Sequence, residues 1–176
     1  STTVPPVFCA APRALLPLTN AGFETPGSGI NVTGWSVVDI NGTSDHPTTG
    51  VCSTVTTIGT VNTSAIEGSR FLCGGRSSVY YQQVAASAAA GSFYNVSVRV
   101  KQGASSYPLF RVYFTSAVQT QTLDIPALSD QAVVVQGTTL SMTSWSAVTL
   151  SYTVATGGLP LYLNLESRRD ATTALV

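Results

Sequence analysis

The stretch SFYNVSVRVKQ, residues 92–102, constrains this chain more than any other. Tyr94, Val96, Val98 and Val100 fall on one side of an extended strand, and Asn95, Ser97, Arg99 and Lys101 fall on the other. Successive side chains of a strand point to opposite faces, whereas a helix would scatter these residues around its circumference. The period recurs. YPLFRVYFTSA puts Phe110, Val112 and Phe114 on one face, with Tyr107, Leu109, Arg111 and Tyr113 on the opposite one. SAVTLSYTVA sends Val148, Leu150, Tyr152 and Val154 inward and Thr149, Ser151 and Thr153 outward. LPLYLNLESR sends Leu161, Leu163 and Leu165 inward and Tyr162, Asn164 and Glu166 outward. AVVVQGTTL and SSVYYQQVA are further candidate strands, and good helix formers are scarce outside the short Ala run VAASAAAG.

Many short strands, each with one apolar face, imply two sheets packed face to face. Alternation favours antiparallel pairing, because buried parallel strands read as continuous apolar runs. The expected fold is therefore all-β: an antiparallel two-sheet β-sandwich of the jelly-roll kind. Residues 1–14 form a Pro-rich extended arm ahead of a single domain spanning 15–176. The Thr- and Gly-rich segment from Asn41 to Ile66 predicts long loops.

Composition narrows the function. Eight basic and eight acidic residues give zero net charge, and charged residues are 9% of the 176. Nucleic-acid binding needs a basic patch, and recognition of an anionic membrane needs a basic cluster. Neither is present in the sequence, and no run approaches the roughly 18 apolar residues of a membrane span. Four Asn-x-Ser/Thr sequons, at Asn31, Asn41, Asn62 and Asn95, point to a secreted, extracellular glycoprotein. The segment STTVPPVFCAAPR lacks the basic start and apolar run of a signal peptide and reads as a mature end left after processing. Among three cysteines, Cys52 and Cys73 flank a Ser/Thr-rich segment. A bridge there would close a loop of about 20 residues and stabilise by roughly 3 kcal/mol. Cys9 is then left to pair with a partner chain or to remain a free buried thiol, and other pairings stay open.

Four local patterns resemble the CenC-like (family 4/9) carbohydrate-binding modules, a jelly-roll group related to galactose-binding-like sandwiches. They are LLPLTNAGFETPG followed by Gly34-Trp35, YYQQV followed by AGSFYNVSVRVK, TSWSAVTLSYTV, and LPLYLNLESRRDATTALV. Together they cover residues 15–176 in the family's order. The resemblance implies a non-catalytic module that binds a neutral polysaccharide. It also implies a structural calcium ion held partly by Glu24, the alternative being a turn anchor. Family members usually close with an Asp-bearing strand just beyond the point where this sequence stops, and that Asp would be the second ligand. The family's Gln before Val84 makes Gln82 a structural hydrogen-bonder, and Trp35 and Trp145 sit at positions that are more often structural than sugar-contacting.

If the strands of residues 92–102 and 107–117 are neighbours, Arg99 and Lys101 share one face with Tyr107, Arg111, Tyr113, Tyr162, Asn164 and Glu166. Tyrosine rings stack on sugar C–H faces and planar polar groups bond paired hydroxyls, so the last six are the candidate carbohydrate-binding residues. Catalysis is not expected. Ser44, Asp45 and the only histidine, His46, are adjacent in sequence, whereas triads assemble from separate segments. Glycoside hydrolysis needs two carboxyls, and only Glu166 lies on the cleft face. A different class remains open: a structural subunit of an extracellular fibre or coat. In that reading the arm 1–14 self-associates by adding a strand to an unpaired edge of a neighbour, and Cys9 locks the junction.

Overall fold

The structure is a computed structural model. It describes residues 18–25, 31–39, 50–53, 56–58, 61–63, 68–73, 77–101, 108–118, 132–136 and 144–169. The arm 1–14, Cys9, Asn41, Ser44, Asp45, His46 and Tyr107 lie outside them. Among the described residues the secondary structure is entirely strand: β1 (Ser36–Asp39), β2 (Gly50–Ser53), β3 (Thr56–Ile58), β4 (Val61–Thr63), β5 (Arg70–Cys73), β6 (Ser77–Ala88), β7 (Phe93–Val100), β8 (Pro108–Thr115), β9 (Ala132–Gln136), β10 (Ser146–Thr153) and β11 (Leu159–Arg169). All pairings are antiparallel, as the alternation predicts.

A five-stranded sheet runs in the order β1-β6-β11-β8-β9. Three two-stranded sheets pair β10 with β7, β2 with β5, and β3 with β4. β2, β3 and β4 put short strands into a segment expected to hold long loops. β-branched Val51, Thr56, Thr57, Ile58, Val61 and Thr63 supply the extended preference there despite the Gly and Thr content. The Ala run also resolves as strand. Val84–Ala88 continues β6, because β11 pairs alongside it through Leu161–Ala85 and Leu159–Ala88, with register shifts at both steps. Tertiary pairing overrides the helix preference of alanine.

The inner face of the five-stranded sheet carries Tyr80, Val84, Val112, Phe114, Leu161, Leu163 and Leu165. They form one cluster with Val96 and Val100 of β7 and with Val148, Leu150 and Val154 of the β10 segment. Phe114 sits at the centre. Its ring stacks on Tyr152 at 5.3 Å and leans on Tyr94 at 5.9 Å, joining strands of the two sheets. The inward residues of residues 92–102, 146–155 and 159–168 are therefore as the alternation places them.

Candidate functional site

The outer face of the five-stranded sheet is set by register. Row by row, Ser36, Tyr81, Asn164, Tyr113 and Ala132 lie across it. The next row is Val38, Val79, Glu166, Arg111 and Val134, and a shorter one is Gln83, Tyr162 and Thr115. Residues some fifty positions apart in the chain thus stand side by side, since directly opposed residues of antiparallel strands share a face.

This face differs from expectation. Arg111, Tyr113, Asn164 and Glu166 are not on a solvated surface: each is fully buried, at 0% exposure. Alternation identifies which residues share a face, but it carries no information about what lies over that face. Arg99 and Lys101 are not neighbours of the group either, because β7 pairs with β10 and β8 pairs with β11 and β9. Of the six candidate binding residues, the structure brings Arg111, Tyr113, Tyr162, Asn164 and Glu166 together, and Tyr162 alone is partly accessible.

Buried polar groups need partners, and these four have them. The Arg111 guanidinium forms an ion pair with Glu166 Oε1. The Tyr113 hydroxyl donates to Glu166 Oε2 at 3.1 Å. The guanidinium also lies 5.9 Å from the Tyr113 ring centroid, within cation–π range. Burial, followed by the adjacent Glu166 carboxylate, raises the Tyr113 hydroxyl pKa well above its ordinary value, so the group stays a neutral donor. Asn164 Nδ2 donates to Thr115 Oγ1 at 3.0 Å and to the Tyr162 and Tyr113 carbonyls at 3.2 and 3.3 Å. The Thr115 hydroxyl donates in turn to the Ala117 carbonyl at 2.8 Å. Asn164 Oδ1 is buried and accepts no hydrogen bond from the described residues.

Beside this ladder the face becomes accessible. Tyr81 and Tyr162 are half-buried, with rings edge-to-face at 6.2 Å, and Gln83 and Ser36 are exposed next to them. Tyr81 was not among the candidates. The doublet Tyr80-Tyr81 hides it, because one ring of any such doublet must face the core and the other away from it. Here Tyr80 is the core residue, at 1% exposure.

The Asn20–Glu24 turn has a structural role. Asn20 and Phe23 both adopt left-handed backbone, with φ of 52° and 59°. That is uncommon for an aromatic residue and needs compensation. The Phe23 amide donates to the Asn20 carbonyl at 3.0 Å, and its ring packs 5.3 Å from Trp35. Asn20 Nδ2 donates to the Thr25 and Thr33 carbonyls, and its Oδ1 accepts from the Thr25 amide. Trp35, buried in the core, donates its indole N–H to the Asn20 carbonyl. Gln82 ties the turn to β6: it accepts from the Thr19 amide at 2.8 Å and donates to the Thr19 and Gly34 carbonyls. Gly34 is required, since a Cβ there would lie 2.7 Å from Thr19 Cγ2.

Glu24 clamps the start of β5. Its carboxylate accepts from the Ser69 amide and hydroxyl and from the Arg70 amide, at 2.9 to 3.1 Å. The Ser69 amide, first among these donors, holds the carboxyl below its ordinary pKa of 4.5. In this arrangement the carboxylate acts as a turn anchor, the alternative to a calcium ligand, with N–H and O–H donors on both of its oxygens. No group of three or more His, Cys, Asp or Glu gathers among the described residues.

In the β2–β5 pair, Cys52 stands opposite Phe71 and Cys73 opposite Gly50, two positions out of direct opposition. Trp145 sets its ring edge-on to Phe71 at 5.8 Å. Asn31 and Asn95 are exposed, and Asn62 lies in β4. No family model, curated protein or solved structure matches this chain.

Proposed function

We propose that the chain is a secreted, non-catalytic carbohydrate-binding domain for a neutral polysaccharide, built as a jelly-roll β-sandwich. The observation that carries this reading is the outer face of the five-stranded sheet. There the Tyr81–Tyr162 pair adjoins a fixed ladder of Asn164, Tyr113, Glu166 and Arg111. Half-exposed rings offer C–H stacking surface, and Gln83 and Ser36 offer hydroxyl-matching groups beside them. The ladder's part is to stiffen the floor under the rings, since its own groups bond one another. Zero net charge suits a neutral ligand. Both Glu166 oxygens are engaged, so an acid or base role for this residue would require breaking those bonds.

Affinity electrophoresis through gels containing neutral β-glucans, xylans or mannans tests the reading. The native chain should be retarded in at least one gel, and Tyr81→Ala/Tyr162→Ala should run as in the sugar-free gel. Equal retardation of both proteins, or none of the native chain by any neutral polysaccharide, would refute the site. The alternative, a fibre or coat subunit, rests on residues 1–14 and Cys9, which lie outside the described residues; native mass before and after removal of 1–13 separates it from the binding domain.

A further inference from the structure

The β7–β10 pair presents a second face with one anomalous residue. Phe93 is 65% exposed, the most exposed of the large apolar side chains among the described residues. Two residues on, Asn95 opens the sequon Asn95-Val96-Ser97. In an extended strand, residues 93, 95 and 97 project from the same face, about 7 Å apart at each step. The β10 residues opposite them are Thr153, Ser151 and Thr149, all exposed. Phe93 therefore stands beside a sequon asparagine on a surface otherwise lined with small hydroxyls. The intervening Tyr94 and Val96 point into the core, which fixes the strand's orientation.

We infer that Asn95 carries an N-linked glycan whose first sugar packs on the Phe93 ring. The step joins Asn95 Nδ2 to the anomeric carbon of an oligosaccharide supplied by a polyprenyl-diphosphate donor. The carbon–oxygen bond to the diphosphate breaks, the lipid diphosphate leaves, and the amide gives up one proton. Ser151 Oγ contacts Asn95 Oδ1 at 3.4 Å, so the contact engages the oxygen and not the nitrogen that takes the sugar. An N-acetylhexosamine at this point reaches back along the strand to the residue two before it. Its C–H face meets an aromatic ring that would otherwise contact water. The other three sequons lack this partner: the residues two before Asn31, Asn41 and Asn62 are Gly29, Asp39 and Thr60. The inference uses only the secretory part of the function proposed above and is independent of polysaccharide binding.

The test secretes the full chain from a eukaryotic host and reads occupancy at each sequon by peptide mass after enzymatic deglycosylation in heavy-oxygen water. Unfolding equilibria are then compared for the native chain, Ser97→Ala (which keeps Asn95 but blocks its glycosylation), Phe93→Ala and the double variant. Glycosylated forms are taken only from the occupied fraction. Asn95 should be occupied. Its glycan should raise the folded-to-unfolded ratio several-fold with Phe93 present and leave it about unchanged in the Phe93→Ala background, a coupling the cycle isolates. Secreted protein with Asn95 bare, or a glycan effect equal with and without Phe93, would overturn the inference. Neither readout involves retention by a polysaccharide, so its failure and that of the binding site are distinguishable.

Discussion

β7 and β11 make an instructive pair. Each alternates apolar and polar side chains, and each sends its apolar set into the same core. On β7 the other set, Phe93, Asn95, Ser97 and Arg99, is exposed. On β11, between Leu161 and Glu166, only Tyr162 has appreciable access to solvent. The difference lies in what covers each face and not in the strand itself: among the described residues β7 pairs with β10 and its outer side chains are in water, whereas β11 lies between β6 and β8 and its outer side chains are covered. A polar residue on β7 keeps its water. One on β11 must replace that water with protein partners, and Glu166 does so with Arg111 and Tyr113.

The largest effect should come from breaking the β11 ladder on one side. Glu166→Ala removes the carboxylate that pairs with the buried Arg111 guanidinium, and should cost about 3–5 kcal/mol in denaturant unfolding. The combined replacement Arg111→Met/Tyr113→Phe/Glu166→Leu removes together the three members that meet at the Glu166 carboxylate and should cost less than about 1 kcal/mol, or stabilise. If the triple variant is as damaged as the single one, the ladder stabilises the fold in its own right and is not held there for the neighbouring tyrosines.

Truncating the apolar side tests the shared core. Phe114→Ala, at 0% exposure and between Tyr94 and Tyr152, should cost roughly 3–5 kcal/mol. An intermediate effect is expected at the Glu24 clamp. Gly68 has φ +65°, and a Cβ would fall 2.1 Å from Glu24 Oε1. Gly68→Ala should therefore cost about 1 kcal/mol or more and release the carboxylate. On the exposed side of the β7–β10 pair, Thr149→Ala should change stability by no more than about 0.5 kcal/mol, in contrast to any substitution in the ladder.

The smallest effect is local and pH-dependent. The Glu24 carboxyl is held below its ordinary pKa of 4.5 by the Ser69 amide. A depressed carboxyl contributes its hold above that ordinary value and loses it as pH falls through the folded-state value. The Ser69 and Arg70 amide resonances should titrate together with a midpoint below 4.5, and Glu24→Gln should abolish that titration. A midpoint at or above 4.5 would break the clamp assignment.

Much of the architecture was legible in the residues. Alternation placed the inner faces of β7, β8, β10 and β11, because a period of two is a local property of an extended backbone. At Glu24 the residues left turn anchor and calcium ligand as open alternatives, because the partners of its carboxylate, Ser69 and Arg70, lie 45 and 46 positions further along the chain. The short strands β2, β3 and β4 were not legible, because Gly and Thr weaken the local signal and pairing supplies the rest.

The sequence by itself determined that the described part of the chain is built of antiparallel strands and which residues share each face. Tertiary structure alone decided strand order, and with it the fate of each polar face. Putting β11 between β6 and β8 assembled Tyr81 and Tyr162 beside a buried Arg–Glu–Tyr–Asn ladder, and pairing β7 with β10 left Phe93 and Asn95 in water. The reason is physical: side-chain direction is set by neighbouring peptide units, whereas burial is set by whatever distant segment the sheet brings alongside.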